Sequence, residues 1–287
     1  NLARLDAGQA PFEQPLTVVG ATGRWMLFIS EFVTQAETLQ AIGEIRYAAK
    51  DFREALGSYY EALAICEANY GPESIEAANC LNYIGGSLIE LHDHEAMAEV
   101  TRRRYNIFEK RLRGTGDFSL GVYQRELSDA LCRAGRHEEA EEEGRAALAY
   151  LRSILGDEHR EVAWCEGIIA NLLACHGKLD EAETMAIDAA TRYSRLDPNG
   201  RLTPLIKQGR DFIFALRGNF DAPELAEFKS RDLDYAFLAY VQNHPASADV
   251  FQRGAEHFEL HGQTEAAAEW RTVAERAAAI GSPQVSR

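Results

Sequence analysis

The side chains able to do chemistry in this 287-residue chain are eight histidines and five cysteines. The densest group is His92-Asp93-His94-Glu95. His257 and His261 stand four apart, which on a helix puts both imidazoles on one face and suits a metal ion. Cys132 with His137, and Cys175 with His176, are the local thiol–imidazole pairs, and a thiolate beside an imidazole can act as a nucleophile. None of these patterns is complete. A zincin helix needs His-Glu-x-x-His, and His137-Glu138-Glu139-Ala140-Glu141 ends in Glu. Neither Cys–His pair has a third, orienting group at a telling spacing. There is no C-x-x-C, Gly-rich phosphate loop, nucleophile elbow or dinucleotide fingerprint. The histidines therefore read as polar turn residues, with His92, His94, His137, His176 and His261 along one edge. Cys66, Cys80, Cys132, Cys165 and Cys175 read as buried, reduced thiols of a cytoplasmic protein. The expectation is no catalytic residue, no metal and no cofactor.

The elements that carry these residues are helices. Helical periodicity runs from Trp25 to Ile280, and no proline occurs between Pro72 and Pro198. Breaks fall instead at Gly71-Pro72, Gly114-Thr115-Gly116-Asp117, Gly156-Asp157-Glu158 and Asp197-Pro198-Asn199-Gly200. The glycines recur about every 42 residues, and a fixed period of this length marks a stacked repeat. A second marker has the same period. A turn is followed by an alanine opening a second helix at Ala55, Ala140, Ala182 and Ala267. Twelve residues earlier stand Gly43, Ser128, Ala170 and Ala255, and seven later Ala62, Ala147, Ala189 and Ala274. Small residues at those points let the two helices of a hairpin approach closely.

This pattern of small residue, alanine twelve on and alanine seven further on resembles the tetratricopeptide repeat. The 42-residue period and the Gly-acidic loops Gly71-Pro72-Glu73-Ser74 and Gly156-Asp157-Glu158-His159 resemble its kinesin-light-chain type. The resemblance implies an all-α, right-handed superhelical solenoid of about six antiparallel helix pairs. The expected layout is an extended lead-in or linker over 1–23, one solenoid over 24–281, and a tail over 282–287. The units fall at about 29–70, 71–113, 114–155, 156–197, a degenerate 198–243, and 244–281. In the degenerate unit, helices are expected over 203–217 and 222–243. In the second unit the register is ambiguous by one residue, because Gly85-Gly86 and Met97-Ala98 both fit. The same unit places Arg102, Arg103 and Arg104 where the family prefers apolar residues.

In the family, the first helix of each pair lines a concave groove that binds peptides. By that resemblance the groove is lined by Gln40, Glu44 and Tyr47, then Asn82, Tyr83, Gly86 and Glu90. Arg125, Glu126, Asp129 and Arg133 follow, then Trp164, Ile168 and Asn171, and in the last unit Gln252, Arg253, Glu256 and Glu259. An asparagine there can pair with the backbone of an extended peptide. The residues at the family's carboxylate-clamp positions are Gln40, Glu44, Tyr83 and Glu126, which argues against capture of a C-terminal carboxylate. Arg102–Arg104, Lys110, Arg111 and Arg113 make one second helix basic. Glu138, Glu139 and Glu141–Glu143 make the next acidic, so an inter-repeat strip of ion pairs is expected.

Charge bounds the partners. Thirty Lys and Arg stand against forty-five Asp and Glu, a net charge of −15. This disfavours nucleic acid and anionic membrane surfaces. The expected function is a non-catalytic scaffold holding a neutral to basic protein or peptide segment within a larger signalling or effector assembly. The alternatives are a peptide-responsive regulator, or a metal protein or enzyme using the histidine edge. Trp25-Met26-Leu27-Phe28-Ile29 reads as a capping helix or the last half of another repeat, and the stretch 25–33 as a surface for self-association or for docking another domain. The chain begins at Asn1, so a removed leader remains open.

Overall fold

The computed structural model describes residues 23–200, 202–226 and 247–281. The described elements are α-helices: α1 (Gly23–Ala48), α2 (Phe52–Tyr70), α3 (Ile75–Glu90), α4 (His94–Leu112), α5 (Ser119–Arg133) and α6 (His137–Leu155). They continue with α7 (Arg160–Cys175), α8 (Leu179–Leu196), α9 (Thr203–Leu216), α10 (Pro223–Ala226), α11 (Ser247–Leu260) and α12 (Thr264–Gly281). From α1 to α9 each helix packs on the next, as α11 does on α12, and the first helices α5, α7 and α9 also touch one another. The result is a superhelical stack of antiparallel pairs. No described helix is long and apolar enough to cross a membrane.

Trp25–Ile29 lies within α1, which runs unbroken from Gly23 to Ala48. The side chains of that run lie outside the described residues, as do 1–22 and 282–287 and the expected continuation of the helix after Ala226.

The hairpin turns share one geometry. Asp51, Asp93, Arg136, Lys178, Asn219 and Gln263 each donate their backbone N–H to a carbonyl five residues back, at 2.8–3.0 Å. The residue before each is left-handed: Gly135, Gly177, Gly218 and Gly262 have φ of 70–79°. In the first two turns that position holds Lys50 (φ 66°) and His92 (φ 58°), which pay the Cβ strain that glycine avoids. The loops between units use other devices. Gly71 (φ 90°) and Gly156 (φ 76°) end α2 and α6, and Ser74 caps α3 by accepting from the Ala77 N–H at 3.1 Å.

The alanine marker sits where the helices meet. Ala55, Ala140 and Ala182 are fully buried, and Ser128 Oγ donates to the Ala140 carbonyl at 2.7 Å, joining the two marker positions of one hairpin. The backbone also decides the second unit's register. Ala55, Ala140, Ala182 and Ala267 each donate to the residue that begins their turn exit, and in the second unit it is Met97 that donates to Asp93. Gly85 and Met97 are therefore the marker pair. One core runs from Ala36 to Ala186 and takes in Ile213 of α9. A second, built around Trp270, joins α9 and α10 to the last pair, and Trp270 Nε1 donates to the Leu225 carbonyl at 3.0 Å.

Candidate functional site

The first helices α3, α5 and α7 bound a cavity of about 380 Å³. Asn82, Gly85, Gly86 and Ile89 come from α3, Glu126 and Asp129 from α5, and Trp164 and Ile168 from α7. Its floor is made by the second helix α4, through Met97, Thr101 and Arg104. Of the projected groove residues, Asn82, Arg125, Asp129 and Trp164 come together here, with Glu126 and Ile168. Asn82 is exposed and Trp164 half-buried.

The charges around the cavity are paired. Arg104 donates to Glu126 at 2.6 Å and lies over the Tyr123 ring at 4.8 Å. Arg133 donates to Asp129 at 2.9 Å. Arg125 donates to Glu161 of α7 at 2.9 Å and is only 11% exposed, so it ties two units together. The cavity is therefore close to neutral, with apolar walls from Leu81, Ile89, Met97, Trp164 and Ile168.

The remaining projected residues lie elsewhere on the stack. Gln40, Glu44, Tyr47, Tyr83 and Glu90 form a neighbouring cluster between α1 and α3. Gln40 Nε2 donates to Cys80 Sγ at 3.1 Å, and Tyr47 donates its hydroxyl to Glu90 at 3.0 Å. Tyr83 stacks on Tyr59 with centroids 5.1 Å apart, and its hydrogen bond with Glu44, then burial, raise its phenol above the ordinary value. Asn171 packs against Gly209 of α9, where a Cβ would come within 2.9 Å of its amide. In the last unit, away from the cavity, Arg253 bonds Asp249 at 2.9 Å and lies over the ring of Phe220 from the unit before. Arg104 and Thr101 escape a projection that counts only first helices; the doubled glycine of α3 is the sequence signal that the second helix can be reached.

The thiol–imidazole pairs do converge. Cys132 Sγ lies 3.9 Å from His137 Nδ1, and the His137 and His176 rings are 6.4 Å apart. Yet contact with Cys175, and then burial, push the Cys132 thiol well up, and burial lowers the His137 imidazole. Both shifts favour the neutral forms, the reverse of an activated nucleophile. The Cys66 and Cys80 sulfurs are 3.6 Å apart, and burial drives Cys165 up to about 12. Among the described residues no group of three or more His, Cys, Asp or Glu is placed to hold a metal ion.

The basic and acidic helices pair across units. Arg102 bridges to Glu139 at 2.8 Å and Glu143 at 3.7 Å, and Arg103 to Glu67. Further along, Arg136 reaches Glu99 at 2.7 Å, Lys178 reaches Glu141 at 2.8 Å and Arg145 reaches Glu181 at 2.7 Å. Such exposed pairs contribute about 0–1 kcal/mol each and register one unit against the next.

The comparisons agree with this architecture. The tetratricopeptide repeat model matches residues 34–110 and 120–195. No curated protein matches the chain. Among solved structures, a Rap protein complexed with Competence and Sporulation Factor is similar at 15% identity and TM-score 0.56, over 85% of this chain and 75% of that one. The apo form of RapI is similar at 13% identity and TM-score 0.56, over 86% and 84%. The nearly identical TPR-like repeats of a kinesin light chain from Podosopora anserina are similar at 14% identity and TM-score 0.48, over 84% and 96%. With the repeat model matching more than half of its residues, this chain belongs to the tetratricopeptide repeat family.

Proposed function

We propose that the chain is a non-catalytic scaffold that holds a protein segment in its concave groove, at the cavity between α3, α5 and α7. The observation that carries this reading is the cavity itself: apolar walls, an exposed Asn82 amide at the rim, and charges already paired among themselves. A solenoid of helix pairs presents such a surface across several units at once. A Rap protein, whose fold is similar, is reported in complex with Competence and Sporulation Factor, which supports ligand capture by this architecture. Asn82 would bond the backbone of an extended segment, and Trp164 would cover its apolar side chains. The chain's net charge of −15 favours neutral or basic segments over acidic ones along the groove as a whole, while the cavity itself, with Glu126 and Asp129 paired to arginines, is close to neutral. The setting we propose is cytoplasmic, since all five cysteines are free.

The test is selection of a phage-displayed library of random dodecapeptides on the purified protein, followed by titration of the selected peptides. Asn82→Ala with Trp164→Ala should weaken them by tenfold or more while the helical circular dichroism is unchanged. Arg125 and Asn171 are engaged within the stack, so they are less suited to this test than the two rim residues. Failure to select any peptide, or selected peptides indifferent to the double substitution, refutes the groove reading.

A further inference from the structure

Three helical glycines show how this chain treats the gap between its paired helices. A Cβ on Gly43 would run into the Tyr59 ring, within 2.7 Å of Cδ1. A Cβ on Gly254, one residue before the marker Ala255 of the last unit, would run into the Trp270 indole, within 2.8 Å of Cζ3. In both cases an aromatic ring sixteen residues on, from the second helix of the same pair, lies flat in the space that glycine leaves. Gly85 occupies the place of Gly43 in the second unit, as the Met97–Asp93 hydrogen bond shows. Sixteen residues after it stands Thr101, whose hydroxyl is turned back to the Met97 carbonyl at 2.8 Å. Nothing lies within 4 Å of a Cβ built on Gly85 or on Gly86.

In the second unit neither a ring nor any other side chain covers the glycine pair, and both glycines line the 380 Å³ cavity of the concave groove. Two adjacent glycines inside a helix are intrinsically unfavourable, and here no close contact demands either of them. Resting on the groove reading, we propose that the hollow over Gly85 and Gly86 is an anchor pocket for one aromatic side chain (Phe, Tyr or Trp) of the bound segment. The partner's ring takes the place beside the glycine that Tyr59 takes in the first unit. Trp164 and Ile168 close over it from α7, and Met97 lies beneath it. The pairing of Arg104 with Glu126 and of Asp129 with Arg133 leaves no bare charge at the rim, which suits a neutral ring rather than a Lys, Arg or carboxylate.

The test uses the peptides selected from the random dodecapeptide library. They should share one aromatic position, and alanine at that position should weaken binding at least tenfold. Thr101→Tyr supplies a ring from within the chain. It should raise the melting temperature and weaken the same peptides at least tenfold. Gly86→Leu fills the hollow from α3 and should do the same, which guards against misfolding of either variant alone. Selected peptides that lack a shared aromatic, or that bind both variants as well as they bind the parent, overturn the anchor pocket and leave the groove reading standing. A library that yields no peptide at all refutes the groove reading and the pocket with it.

Discussion

Gly43→Ala and Gly85→Ala alter the same repeat position in the same way and should move stability in opposite directions. Replacing a helix-interior glycine by alanine gains about 1 kcal/mol, because glycine surrenders more backbone freedom on folding. At Gly85 that gain is unopposed, since the new methyl meets nothing within 4 Å. At Gly43 the methyl meets three atoms of Tyr59, two of them at 2.7 and 2.8 Å. Tyr59 cannot retreat easily: it is 2% exposed and stacked on Tyr83. Overpacking of this kind costs about 1–3 kcal/mol, so the net change at Gly43 is a loss of up to about 2 kcal/mol. The two variants should therefore differ by about 1–3 kcal/mol. At about 2–4 °C per kcal/mol for a chain of this size, Gly85→Ala should raise the melting temperature by about 2–4 °C. Gly43→Ala should lower it or at best leave it in place. Thermal melts followed by circular dichroism, with urea midpoints as a second measure, read both. Pairing Gly43→Ala with Tyr59→Leu should recover part of the loss that the two single changes add up to, because both act on one contact. A Gly85→Ala protein that melts below the parent, or a Gly43→Ala protein that gains as much as Gly85→Ala, would refute the reasoning.

Three further outcomes are expected. His92→Gly and Lys50→Gly should each stabilise by about 1 kcal/mol in urea titration, because both residues hold the left-handed turn position that glycine fills in the later units. Glu166 is 4% exposed and bonds Arg152 at 2.6 Å and Arg192 at 2.7 Å. Removing both arginines should cost about 3–5 kcal/mol, and Glu166→Gln less, since the arginines can turn to water while the carboxylate cannot. Lys178, with His176 and Arg145, holds Glu141 down to about 2 from an ordinary 4.5. Its folded value is the lower one, so the stabilisation is complete above about pH 4.5 and is lost as the pH falls toward 2. Screening by solvent leaves about 1–2 kcal/mol of it, which acid titration of Glu141→Gln against the parent should reveal as a shallower decline. His94, lowered chiefly by burial and then by Arg133, adds an earlier loss of stability that begins as the pH drops below about 6.5.

The sequence by itself determined the stack. Ala55, Ala140 and Ala182, and the small residues twelve before them, follow a period that only close-packed helix pairs require, and these alanines are fully buried. Charge runs on successive second helices likewise announced the bridges from Arg102 to Glu139 and Glu143, because neighbours in a solenoid are one period apart. The tertiary structure decided which groove positions act together. Arg125 and Asn171 share a face with Asn82 by count, yet one is spent on Glu161 and the other packs on Gly209, since each faces a helix of the next unit. The register of the second unit was also undecided in sequence, because Gly85-Gly86 and Met97-Ala98 satisfy the same spacing. Only the Met97–Asp93 hydrogen bond settled it. A glycine reads alike in sequence whether a ring presses on it or empty space does. Tyr59 over Gly43 and nothing over Gly85 are facts about the helix alongside, whose side-chain sizes a one-dimensional pattern of small residues does not weigh against each other.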